Sequence, residues 1–269
     1  MFAPPAGLTL DRLLGRGSSF EVALVRGGDG LPVVAKRLRP SLRGSPEATA
    51  ALLREGAVLA RVFHPAVPRL LANGSDAAGP YLLETFVTGA SFDGGAEPSS
   101  RLAHRAALTL FELQRLGDGD GPLDFVHGDL CPEHLIAVTD ASTGQTTVSL
   151  VDFGAATLRG VPSAPAGGRG TLPFAAPELC RGETEATQAT DRYALAVVLA
   201  SFLLGGARLC RNTTEAAMLL EIGEHGHDSK VLVGLPGAAR RALEAHLSFD
   251  PRDRPDDLAD LVDALAAGA

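Results

Sequence analysis

Two opposite charges, each set on an otherwise apolar face, constrain this chain more than any other feature. In Pro32-Val33-Val34-Ala35-Lys36-Arg37-Leu38 the two-residue period of a strand puts Lys36 on the face of Val34 and Leu38. Downstream, Leu52, Glu55, Leu59 and Val62 fall on one helical stripe. Ser45-Pro46-Glu47 opens that helix with a capping hydroxyl, a first-turn proline and an early acid, and His64-Pro65 closes it, so it runs to about Val62. Taken alone, Glu55 could as well sit at the stripe edge in water. A buried charge is costly unless paired. Lys36 and Glu55 account for each other if the strand packs on the helix.

The rest of the chain divides by periodicity. Residues 8–38 read as strand, glycine-rich turn, strand, turn, strand, with turns at Gly15-Arg16-Gly17-Ser18-Ser19 and Gly27-Gly28-Asp29-Gly30. Two more strand-like runs cover 68–72 and 80–87, and 91–100 is a Gly/Ser/Pro-rich linker. From Arg101 helices dominate, interrupted by one hairpin with strands at 135–138 and 147–151. The expected class is α+β: one domain over 1–269, with a small β-rich lobe (about 8–88) and a larger α-helical lobe (about 89–269) joined near 85–91. The apolar run 193–207 falls short of the roughly 20 residues a bilayer requires and suits a buried helix.

A net charge of -8 argues against nucleic acid and anionic membranes as partners. Three cysteines without metal spacing, and a start with no basic-then-apolar leader, point to a reducing cytoplasmic compartment. The Ala, Gly and Arg bias suggests a bacterial genome.

Three short segments carry chemistry. The turn in Leu14-Gly15-Arg16-Gly17-Ser18-Ser19-Phe20-Glu21-Val22 lets backbone N–H groups approach phosphate oxygens, although an ordinary hairpin turn would look the same. Phe125-Val126-His127-Gly128-Asp129-Leu130-Cys131-Pro132-Glu133-His134 precedes the hairpin, and Leu150-Val151-Asp152-Phe153-Gly154 follows it. Asp129 and Asp152 suit a base and a Mg²⁺ ligand; alternatively Asp152 merely starts a turn.

In this order the elements resemble the eukaryotic-type protein kinases in their bacterial serine/threonine form. Further matches are Gly170-Thr171-Leu172-Pro173-Phe174-Ala175-Ala176-Pro177-Glu178, Asp191-Arg192-Tyr193-Ala194-Leu195 and Asp250-Pro251-Arg252-Asp253-Arg254-Pro255. The resemblance implies a two-lobed kinase fold, ATP and Mg²⁺ as ligands, and protein substrates with Ser or Thr acceptors. It places Gly15, Gly17, Ser18 and Ser19 over the phosphates. Lys36 goes on the α- and β-phosphates, with Glu55 holding it. Leu14, Val22, Val34 and Ile136 would flank adenine, and the backbone of Thr85, Phe86 and Val87 would bond its edge. Asp129 would accept or orient the substrate hydroxyl proton, with Thr171 touching it, and Asp152 would hold the metal. Glu178 with Arg254, and Asp191, are implied structural anchors.

The sequence departs from this pattern in five places. His134 replaces the metal-binding Asn; it is either a ligand favouring Mn²⁺ or a hydrogen-bond partner of the loop. Cys131 replaces a Lys, Phe20 replaces the third loop Gly, Val34 stands for a smaller Ala, and Gly128 replaces the Arg that pairs with a phosphorylated activation segment. With only Thr157 and Ser163 ahead of Thr171, weak dependence on phosphorylation of that segment is expected. The alternatives are a pseudokinase acting as a nucleotide-binding scaffold and a small-molecule kinase of the aminoglycoside or choline type. The stretch 201–230 matches the family poorly and is a candidate surface for a regulatory protein.

Overall fold

The structure is a computed structural model that describes residues 2–17, 19–162, 170–183 and 185–268. The chain forms two compact units, Met1–Thr88 and Gly89–Ala269.

The first unit is an antiparallel five-stranded sheet with one helix. Strands β1 (Thr9–Arg16), β2 (Phe20–Arg26), β3 (Pro32–Leu38), β4 (Leu70–Asp76) and β5 (Gly79–Thr85) lie in the order β1-β2-β3-β5-β4. Central β3 is bonded on both sides, Lys36 lying between Val22 of β2 and Leu82 of β5. Helix α1 (Pro46–Leu59) starts where Ser45 accepts the Ala48 N–H. It ends at Leu59 rather than at Val62. The remaining residues form a turn in which Val62 N–H still bonds Val58 O, and Val62 stays buried. Gly56 lets α1 sit close on β4, since a Cβ there would overlap the Asn73 amide. One sheet face packs on α1; the other buries Ala23, Val25 and Ala35 under Phe2. The predicted runs 68–72 and 80–87 both become strands, shifted to their observed bounds, with a bulge between Leu70 and Ala72.

The second unit is mainly helical. It opens with β6 (Ala90–Ser91), which pairs with β9, so the predicted linker begins as a strand edge and gives way to α2 (Ser100–Gln114). A short ribbon, β7 (Gly117–Asp118) and β8 (Gly121–Pro122), precedes the expected hairpin of β9 (Leu135–Thr139) and β10 (Thr146–Leu150). Then come α3 (Pro177–Cys180), α4 (Gln188–Leu203), α5 (Glu215–His225), α6 (Gly237–His246) and α7 (Ala259–Ala266). Helix α4 is apolar nearly all round, as a fully buried helix must be, and α2 and α6 pack against it. Its start is fixed by a capping box: Thr187 accepts from Thr190 N–H, and the Thr190 hydroxyl accepts from Thr187 N–H. Glu178 and Arg254 meet in a buried two-pronged ion pair at 2.6 and 2.8 Å, with the guanidinium stacked 4.5 Å over Tyr193. Among the described residues no helix is long and apolar enough to cross a membrane.

Candidate active site

In the first unit, the alternation of β3 turns Lys36 toward α1, where its ammonium is bonded to the Glu55 carboxylate. The two groups are 3% and 1% exposed, so the pair is part of the interior and not an appendage to it. Glu84 of β5, equally buried, brings a second carboxylate to 3.8 Å from the Lys36 nitrogen. Sequence reasoning missed Glu84. The signal was there: Leu82 and Glu84 alternate in a strand whose inward face meets that of Val34 and Lys36.

The glycine-rich turn closes with Gly17 N–H donating to Phe20 O at 3.0 Å, and Arg16 pairs with Glu21 across it at 3.1 Å. Ser18 lies outside the described residues. A Cβ on Gly15 would meet nothing within 4 Å, so this turn keeps open space beside its backbone. Phe20 sits at the first position of β2, and Ser19 O accepts the Arg39 N–H. Leu14 is exposed, Val22 half-buried and Val34 buried. At the end of β5, Thr85 spends its N–H on Arg69 O and its hydroxyl on Arg69 N–H. Its N–H and hydroxyl are thus engaged, while Phe86 and Val87 lie beyond the strand.

The second unit assembles the residues around its hairpin. Asp191, one turn into α4, reaches back to the loop and accepts the N–H groups of His127 (2.6 Å) and Gly128 (2.9 Å). Burial pushes its carboxyl up to about 7, against the pull of those two bonds. Gly128 has φ +80°, and a Cβ there would come 2.6 Å from Ala155 O; an Arg in its place would be both strained and crowded. Asp129 is held from the opposite side. Thr171 donates to the same Asp129 oxygen twice, from its N–H at 2.7 Å and its hydroxyl at 2.8 Å. Cys131 is buried beside Asp129, Glu133 and Thr171. Burial first, and the neighbouring acids second, push its thiol well above the usual range, which disfavours the thiolate.

His134 Nδ1–H donates to Asp129 O at 2.8 Å, which fixes the tautomer and turns Nε2 toward Asp152 Oδ2 at 3.7 Å. Asp152 adopts φ +64°, a left-handed conformation that Asp tolerates better than most residues, and Oδ1 accepts the Gly154 N–H at 3.3 Å. The next residue, Phe153, is fully buried against Phe125 and His127. This local geometry presents an imidazole nitrogen and a carboxylate oxygen to one point. Among the described residues no group of three or more His, Cys, Asp or Glu could hold a metal. One carboxylate, completed by phosphate and water, is a common way of holding Mg²⁺, whereas the imidazole nitrogen beside it suits softer ions better. Ile136 is half-buried on β9. Thr157 forms a bridge to Val126, while Ser163 lies outside the described residues.

The protein kinase domain family matches residues 8–263. Serine/threonine-protein kinase PknI of Mycobacterium tuberculosis is 27% identical over 97% of this chain and 41% of its own length. The PknI of Mycobacterium bovis gives the same figures. Serine/threonine-protein kinase chk-1 of Caenorhabditis elegans is 30% identical over 54% of this chain and 28% of its own. The chain thus spans less than half the length of these curated relatives. With a family match over nearly its whole length, an antiparallel β unit and a helical unit, this chain belongs to the protein kinase domain family.

Proposed function

We propose that this protein is an ATP-dependent serine/threonine protein kinase, working in the cytoplasm of a bacterium on protein substrates. The observation that carries this reading is the pair of hydrogen bonds that Thr171 donates to one oxygen of Asp129, which fixes the carboxylate in direction. A base that orients an acceptor hydroxyl needs that arrangement. The same Thr, followed by the Ala-Pro-Glu segment, argues against the small-molecule kinase alternative.

Lys36 binds the α- and β-phosphates, and Glu55 holds it in place. The backbone of the glycine-rich turn covers the phosphates, and Val34 with Val22 and Leu14 lines the adenine. Asp129 takes up or orients the proton of the attacking Ser or Thr hydroxyl. Asp152 and Nε2 of His134 are the groups that would hold a divalent ion, which would supply positive charge against the phosphates. Replacing the usual Lys by a protonated Cys131 removes one cation near that group, so turnover is slow and leans on metal and Lys36. Imidazole ligation favours Mn²⁺ over Mg²⁺.

The test is transfer of label from γ-labelled ATP to a mixed protein substrate, with Mg²⁺ and with Mn²⁺, followed by phosphoamino-acid analysis. The expected result is phosphoserine and phosphothreonine, with Mn²⁺ the better ion. Nucleotide binding with no transfer in either metal would establish the pseudokinase alternative instead.

A further inference from the structure

Lys36 is shared. Its ammonium lies between two buried carboxylates on different elements, Glu55 of α1 in direct contact and Glu84 of β5 at 3.8 Å. The second acid arises from strand register: Glu84 lies opposite Val34 on β3, and Leu82, two residues earlier, lies opposite Lys36. All three ionic side chains are almost completely out of solvent, Glu84 being 3% exposed. At formal charges, Glu84 brings a second anion close to the ammonium in a medium that screens poorly.

One carboxylate suffices to hold a lysine in position. A second works against any further anion that the lysine is to bind, because like charges brought together away from water repel strongly. Glu84 also directly precedes Thr85, Phe86 and Val87, so it stands where the strand ends and the proposed adenine-bonding segment begins.

We propose that Glu84 is a positioning residue for Lys36 that restrains nucleotide binding: it shares the ammonium with Glu55 and opposes its engagement by phosphate. This rests on the reading of Lys36 as a phosphate ligand. Nucleotides are held more loosely than the Lys36–Glu55 pair alone would hold them, and the deficit falls on phosphorylated ligands and not on the nucleoside.

The experiment is calorimetric titration of the full chain with adenosine, ADP and ATP, for wild type, Glu84→Gln, Glu84→Met and Lys36→Met, with folding checked by thermal melting. The two neutral Glu84 variants guard against one of them failing to fold, and Glu84→Asp, which keeps the charge but draws it back, serves as the graded case. Removing the charge at Glu84 should tighten ATP and ADP about tenfold, equivalent to about 1.4 kcal/mol, and leave adenosine unchanged. Glu84→Asp should fall between. Lys36→Met should weaken ATP and ADP while sparing adenosine. If Lys36→Met binds ATP as wild type does, the phosphate role of Lys36 fails and this proposal with it. If Lys36→Met weakens ATP but the neutral Glu84 variants leave it unchanged, weaken it, or shift adenosine equally, Glu84 is a structural residue and the proposal alone is overturned.

Discussion

His134 shows how one substitution alters a site through its hydrogen bonds. Its Nδ1–H is spent on Asp129 O, so only Nε2 is left to face Asp152. A ring held in this way is oriented as metal-bound histidines usually are, by a carbonyl behind it. Replacing His134 by Asn supplies an amide oxygen in its place. If the ring ligates the ion, His134→Asn raises Mg²⁺-supported transfer relative to Mn²⁺ severalfold and reduces the thermal stabilisation that Mn²⁺ with ATP confers. Unchanged metal preference in both measurements would show that the ring only braces the loop. The family resemblance named both residues for the metal; what residue order does not carry is the ring's tautomer and the left-handed backbone of Asp152. Lys36 and Glu55 were legible because strand and helix periods each place a charge on an apolar face. Glu84 obeys the same rule, but its run reads first as a strand end, and the acid goes unnoticed among the apolar residues.

Among the elements, α4 links core and chemistry. It is buried almost throughout, and its first turn carries Asp191, whose carboxylate receives the His127 and Gly128 N–H groups. The apolar run made this helix legible, although its start at Gln188 is set by the Thr187–Thr190 box, upstream of the run. Thr187→Ala removes the side-chain half of that box. A lost cap of this kind costs about 1 kcal/mol, which for a chain of this size lowers Tm by about 2–4 °C; a calorimetric scan measures it. Helix α1 was placed correctly at its start, where the cap and proline are local signals. Its end was overestimated because Val62 keeps the helical spacing and stays buried after the helix has given way to a turn.

For the whole molecule, stability depends on pH through buried groups that take no part in chemistry. His246 completes the buried stripe of α6 with Ala239 and Leu243, is 1% exposed, and neither ring nitrogen has a hydrogen-bond partner among the described residues. Burial, helped by Arg192 and Arg254, lowers its pKa to about 4. His227 is likewise held at about 4, by burial, while it accepts the Tyr193 hydroxyl proton and donates to Pro173 O. Between about pH 4 and 6.5 the unfolded chain binds protons that these rings refuse, so each contributes stability that rises with pH there and is lost on acidification. Asp191 runs the other way, since its raised pKa makes its contribution fall as pH climbs from about 4 to about 7. The difference between His246→Phe and wild type cancels Asp191 and isolates one ring. The variant should equal or exceed wild type in stability at pH 7, and its advantage should grow toward pH 4 by up to about 3 kcal/mol. Denaturant titrations across that range measure it; a constant difference would mean that His246 does not titrate in the window assigned to it.

The proposed function gives Asp129 the central role, as the group that would ready the acceptor hydroxyl for phosphoryl transfer. The decisive measurement compares ATP affinity and label transfer on the same preparations of wild type and Asp129→Asn. ATP affinity should be equal in the two proteins, and the transfer rate at least about a hundredfold lower in the variant. Transfer by Asp129→Asn at the wild-type rate would contradict the role of Asp129.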